Sequence, residues 1–217
     1  MFGEVLTQIA LMVSALFPLV NPLGCAPIFL VMTRDASAAE RKTLSGRVAR
    51  NSFFLLLGSI LIGSYVLWFF GISLPIVRVG GGLVVVSTGW TMLKSDDDDG
   101  RKQVQQSAGV GSLLRKAFYP LTLPLTVGPG SISVAVTLGA SFPPPGHGRL
   151  LLALLAAIVA SLALAISVFI CYGFADRVVK RLGPSGTNVI MRLSAFLLMC
   201  IGLQILWHGI TDLVHTL

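Results

Sequence analysis

Charge is what this chain has least of. Only 12% of its 217 residues are Asp, Glu, Lys or Arg, about half the share of an ordinary soluble domain. Apolar residues make up 54%. A chain so composed cannot cover itself with polar surface, and it needs lipid as a solvent. Cysteine is scarce as well. Cys25, Cys171 and Cys200 fall in apolar stretches and form no C-x-x-C pair, so they read as small buried hydrophobes. No Lys or Arg precedes the first apolar run, so a cleavable signal peptide is not expected.

What is present is a series of long uncharged runs. Residues 5–33, 51–77 and 150–175 carry no charge at all. With about 20 apolar residues needed per crossing, six spans are predicted near 5–32, 50–70, 74–93, 117–140, 150–173 and 189–209. The net charge of +7 is confined to the connections, which argues for membrane orientation and against nucleic acid as a partner. The first loop holds Arg34, Arg41, Lys42, Arg47 and Arg50. The third holds Lys94, Arg101, Lys102, Arg115 and Lys116, and the fifth Arg177, Lys180, Arg181 and Arg192. The second and fourth hold only Arg78 and Arg149. Loops one, three and five are therefore predicted in the cytoplasm and both termini outside. Trp68, Trp90, Tyr119, Tyr172 and Trp207 fall near expected interfaces, where aromatic rings collect.

The acidic run Asp96-Asp97-Asp98-Asp99 reads as a solvated linker, since like charges repel and extend a chain. His208 and His215 lack a third ligand in the sequence, so no metal site and no cofactor is expected.

The chain repeats itself weakly. Phe17-Pro18-Leu19-Val20-Asn21-Pro22-Leu23 resembles Tyr119-Pro120-Leu121-Thr122-Leu123-Pro124-Leu125, and Ile76-Val77-Arg78-Val79-Gly80-Gly81 resembles Ile190-Met191-Arg192-Leu193-Ser194-Ala195. The fold expected is an all-α membrane protein built from two inverted three-helix repeats, residues 1–94 and 117–217, joined by a cytoplasmic linker at 95–116. Spans one and four are expected to be discontinuous. Span one contains Pro18, Pro22 and Pro27 with Asn21 and Gly24; span four contains Pro120, Pro124 and Pro129 with Gly128 and Gly130. Proline inside a helix removes a backbone hydrogen bond and clashes with the preceding turn. In hydrocarbon, the freed groups must be buried in protein or line a cavity, and paired interruptions in two halves point to a transporter site.

Pro22 and Pro129 suit the first position of a helix. Such helix starts present free N–H groups and a positive dipole end, which favour a carboxylate, while helix C-terminal carbonyls favour an ammonium. The candidate substrate-binding residues are Asn21, Pro22, Leu23, Gly24, Thr122, Thr126, Gly128, Pro129, Gly130 and Ser131. No Asp, Glu, Lys or Arg lies in either span after Glu4, so the solute expected is a small zwitterion and not a net-charged ion. The stripe Ala153, Ala157, Ser161 and Ala165 reads as helix packing, as does Gly80-Gly81-Gly82, which also leaves room beside the site. Arg78 and Arg192 are expected to snorkel to the interfaces or cap loops.

Asn21-Pro22-Leu23-Gly24 with Pro27-Ile28-Phe29, Phe70-Gly71-Ile72, Arg78-Val79-Gly80-Gly81, and Pro124-Leu125 with Gly128-Pro129-Gly130-Ser131-Ile132 together resemble the MarC family of inner-membrane proteins, related in architecture to LysE-type exporters. The resemblance covers nearly the whole chain. It implies six spans, an inverted repeat, transport of small neutral amino acids and no enzymatic activity. Cys25 departs from the family pattern, which has a polar or small residue there. The competing functions are a passive channel or exporter of other small solutes, and a membrane thiol–disulfide carrier. The carrier needs a second thiol where the repeat has Val127. The lipid bilayer is a partner in every reading. A coupling ion, H+ or Na+, and a homo-oligomer are compatible with the sequence but not specified by it.

Overall fold

A computed structural model describes residues 2–94, 117–140 and 149–215. The linker expected at 95–116 and the Asp96–Asp99 run lie outside the described residues. Every regular element among the described residues is helical. In order these are α1 (Phe2–Val20), α2 (Pro22–Met32), α3 (Ala38–Phe69), α4 (Leu74–Lys94), an irregular wide-turn segment Ala117–Thr126, α5 (Pro129–Ala140), α6 (Arg149–Gly173) and α7 (Ala175–His215). Five stretches are long and apolar enough to cross a bilayer: Val5–Met32, Ala38–Phe69, Leu74–Lys94, Leu151–Gly173 and Ser185–His215. The Ala117–Thr126 segment and α5, bent by 71° to one another, make a sixth if taken as one span.

Two helices run beyond the expected spans. α3 starts at Ala38 because Ser37 and Glu40 form a capping box, the Ser37 N–H donating to Glu40 Oε2 (2.8 Å) and the Glu40 N–H to Ser37 Oγ (3.3 Å). Its 32 residues reach about 48 Å, longer than the hydrocarbon layer of about 30 Å, so the charged turns before Asn51 extend past it. α7 likewise starts at Ala175 and is interrupted only at Gly183, whose φ of 67° is open to glycine at no steric cost.

Small residues make the closest helix contacts. On α6, Ala153, Ala156, Ala157, Ala160 and Ser161 are fully buried, while Leu151, Leu155, Ile158, Leu162 and Ile166 are exposed. Lipid is as apolar as leucine, so large apolar side chains can stay outside, and small residues go to the contacts because they let backbones approach. The stripe predicted on span five therefore faces protein. The same rule builds the antiparallel α4–α7 pair. A Cβ on Gly82 would lie 2.6 Å from the Leu206 nitrogen, and one on Gly89 2.8 Å from the Ala195 carbonyl oxygen. From the other side, a Cβ on Gly202 would lie 2.7 Å from the Val86 nitrogen, and one on Gly209 2.8 Å from the Val79 nitrogen.

Ion pairs tie the two ends. Arg78 at the start of α4 pairs with Asp212 near the end of α7, where an arginine snorkelling or capping a loop was expected. Arg41 pairs with Asp176 and also donates to the carbonyls of Thr33 (3.3 Å) and Ala36 (3.1 Å). It holds the α2–α3 turn against the start of α7.

Candidate functional site: a cavity beside two helix interruptions

The chain between α1 and α2 breaks at one residue. Asn21 precedes Pro22, a position where the right-handed helical conformation is disfavoured, and it takes φ 44°, ψ 55°. Asparagine enters this left-handed region more readily than residues without its short polar side chain. The expected unwound stretch is absent here. The Asn21 N–H still donates to the Phe17 carbonyl (2.9 Å), and the Cys25 N–H to the Asn21 carbonyl (3.0 Å). The Asn21 side chain caps α2, its Oδ1 accepting from the Gly24 N–H at 3.1 Å. Gly24 is required beneath it, since a Cβ there would stand 2.5 Å from Asn21 Nδ2. With the oxygen so engaged, Nδ2 is buried and has no partner.

The second interruption is wider. Tyr119 and Leu123, each preceding a proline, have extended backbones (φ −125°, ψ 123° and φ −105°, ψ 129°), and α5 begins only at Pro129. Threonines satisfy carbonyls in this irregular backbone. Thr122 Oγ1 donates to the Ala117 carbonyl (2.6 Å) and Thr126 Oγ1 to that of Leu121 (2.7 Å). Pro129 has no N–H to offer the Leu125 carbonyl, four residues back. Cys25 Sγ reaches across from α2 and bonds it at 3.5 Å. Beneath lies Tyr172, fully buried, stacked on Phe29 with ring centroids 4.4 Å apart and hydrogen-bonded through its hydroxyl to Thr126 (2.8 Å). This aromatic residue, expected at an interface, is a core support instead.

A cavity of about 480 Å³ lies beside these interruptions. One wall is Leu19, Asn21, Cys25, Ile28 and Met32; a second is Tyr119, Pro120, Pro124 and Leu125 followed by Gly128, Pro129, Gly130 and Ser131. The third is Val84, Val85, Thr88, Thr91 and Met92 of α4, with Leu198 of α7. The cavity runs from the interruptions toward Met32 and Met92, close to the ends of α2 and α4. On the opposite side α4 and α5 close against one another: Ser133 Oγ donates to the Val77 carbonyl (2.8 Å), and Gly81 faces Ser133 with no room for a Cβ between them.

Of the ten residues predicted from sequence, Asn21, Gly128, Pro129, Gly130 and Ser131 line this cavity. Pro22 starts α2, Gly24 sits under the Asn21 amide, and Leu23 is half-exposed on the outside of α2. Thr122 and Thr126 are buried with their hydroxyls bonded to backbone carbonyls, Thr122 also accepting from Asn51 Nδ2 (3.4 Å). The α4 wall was not anticipated as part of the site. Its signal was available: residues 84, 85, 88, 91 and 92 repeat at the three-and-four spacing of one helix face.

The polar groups of the cavity gather at the interruptions. The N–H groups of Gly130 and Ser131 are in the first turn of α5 and have no carbonyl a turn back to bond, and Asn21, which caps α2, lines the same cavity. These free N–H donors and the helix dipole end suit an anionic group.

Comparison with known proteins agrees with the helical, apolar character of the chain. Residues 6–214 match the family described as "MarC family integral membrane protein". A Salmonella typhimurium (strain LT2) protein named "UPF0056 inner membrane protein MarC" is 28% identical over 98% of both chains. "UPF0056 membrane protein YvbG" of Bacillus subtilis (strain 168) is 27% identical over 94% of both, and a "UPF0056 membrane protein" of Buchnera aphidicola is 30% identical over 94% of this chain and 92% of its own. No solved structure matches the chain. Six predicted spans, five long apolar stretches with one bent pair among the described residues, and a family match over nearly the whole length converge: this chain belongs to the MarC family of integral membrane proteins.

Proposed function

We propose that this chain is a secondary transporter of small neutral amino acids, of the glycine, alanine, serine and threonine class, working by alternating access and without covalent chemistry. The observation that carries the reading is the cavity at the two interruptions, lined both by Asn21 and by the open first turn of α5 with its free N–H donors. Those donors take the carboxylate. No full charge lines the cavity among the described residues, which favours a zwitterion over a lysine-like or glutamate-like solute.

Inverted symmetry supports the reading. Asn21 and Leu123, equivalent in the sequence repeat, both leave the helical conformation, and α4 and α7, the third helices of the two halves, lie antiparallel, as an axis in the membrane plane requires. The basic loops favour an orientation with both termini outside, in which the cavity opens to the cytoplasmic side and the α4–α5 contact seals the outer side. The Salmonella relatives are named inner membrane proteins, which supports a bacterial plasma membrane as the location.

The test is counterflow in proteoliposomes preloaded with alanine. Labelled alanine should accumulate transiently against its gradient, which a channel cannot produce, and alaninamide, which lacks the anion, should compete at least tenfold less well. Equal competition by alanine and alaninamide would remove the helix-end carboxylate site, and absence of counterflow with every neutral amino acid would remove the transporter.

A further inference from the structure

The cavity extends beyond the reach of those four side chains. Asn21 and the first turn of α5 put polar groups at one end. Away from that end the walls include Ile28, Met32, Val84, Met92 and Leu198. The hydroxyls that could make this region polar are engaged elsewhere. Thr88 Oγ1 donates to the Val84 carbonyl and Thr91 Oγ1 to the Ser87 carbonyl, each at 2.8 Å within α4, and Ser131 Oγ donates to the Gly128 carbonyl at 2.9 Å. A volume of about 480 Å³ is that of a pocket for an organic molecule of moderate size. Glycine offers this chamber nothing and alanine a single methyl.

We infer that the site ranks neutral amino acids by aliphatic bulk, and that leucine, isoleucine and methionine bind it better than alanine or glycine. The inference rests on the transport reading above for the zwitterion end and adds the side-chain subsite. The zwitterion stays at the interruptions while the side chain lies along the α4 face between Val84 and Met92. Two methionines in the wall make the subsite adaptable, because an unbranched thioether side chain refits to different shapes. Breadth across the three side chains follows, and not selection of one. Burying the three additional carbons of leucine, at the usual gain per methylene, amounts to about 50-fold over alanine.

The experiment is competition against labelled alanine counterflow by the full-length reconstituted protein, with leucine, alanine, glycine, 4-methylpentanoate and isopentylamine as competitors. The expected order is leucine at least tenfold ahead of alanine, alanine ahead of glycine, and the two half-molecules of leucine far behind leucine itself. Leucine no better than alanine, with alanine counterflow intact, would overturn the subsite and leave the transporter standing. 4-Methylpentanoate equal to leucine would overturn it in favour of an apolar anion, and no counterflow by any amino acid would overturn both. Met92→Phe, which shortens the chamber from the far end, should lower the leucine-to-alanine ratio about tenfold; an unchanged ratio in a monodisperse, correctly inserted variant would place the side chain elsewhere.

Discussion

Gly130→Ala isolates one contact at the heart of the site. The added methyl would stand 1.9 Å from Val85 Cγ2, 3.4 Å from Val85 Cβ and 3.5 Å from the Gly81 carbonyl oxygen. Carbon atoms rest about 3.5–4.0 Å apart, so something must move by more than an ångström. Val85 cannot swing aside cheaply, because a β-branched side chain in a helix has one strongly preferred rotamer. α4 and α5 must therefore separate, and the Ser133–Val77 bond loosens with them. Overpacking of this size costs about 2 kcal/mol, a drop of about 4–8 °C in unfolding midpoint for a chain of this length. Val85→Ala alone removes two buried carbons and costs about 1.5 kcal/mol. The double variant lets the new methyl occupy the vacated space, so its loss should fall short of the sum by about 2 kcal/mol. Midpoints in detergent, followed by tryptophan fluorescence, give the cycle, and alanine counterflow should fall in Gly130→Ala and partly return in the double variant. Additive losses, or a Gly130→Ala protein with wild-type midpoint and transport, would show that α5 does not approach α4 here.

Further expectations concern the other interruption and the topology. Asn21→Gly keeps access to the left-handed backbone but deletes the amide, so it should insert normally and lose transport; Asn21→Ala should in addition lose about 1–2 kcal/mol of stability, and normal uptake by the glycine variant would take the amide out of the site. Cys25→Ser retains a donor for the Leu125 carbonyl and should transport, whereas total loss would reopen a thiol-based function. Phosphatase fusions after Gly71 should be active and fusions after Lys94 inactive, and the reverse pattern would invert the orientation assigned to the cavity.

The prolines made the site legible in the sequence; the side chains of its walls did not. Pro22 and Pro129 each stand first in a helix, as their missing N–H groups foretell. The extent of each break was hidden, because it depends on whether the residue before proline can turn left-handed. Asn21 can, and the break closes in one residue; Leu123 takes an extended backbone, and the segment stays irregular to Gly128. Thr122 and Thr126 looked available to a solute, but the irregular backbone they belong to uses their hydroxyls first. The α4 wall was obscure for a reason peculiar to membranes. Hydrophobic periodicity separates core from water, and here both the lipid-facing and the cavity-facing sides of the helix are apolar.

The α4–α7 contact has a consequence for heredity. Gly82, Gly89, Gly202 and Gly209 each meet the backbone of the opposite helix where a Cβ would stand less than 3 Å from it. Every single-base change that alters the meaning of a glycine codon brings in a residue with a Cβ, or a stop. At the cavity wall, a mutation can swap one aliphatic side chain for another and retune the solute. At these four positions no such neighbouring step exists, and each helix must keep its glycines for the other to approach. Random mutagenesis with selection for function should therefore return many substitutions at Ile28, Val84 and Met92 and almost none at the four glycines, so that the solute can drift over generations while the antiparallel pair that bounds it stays fixed.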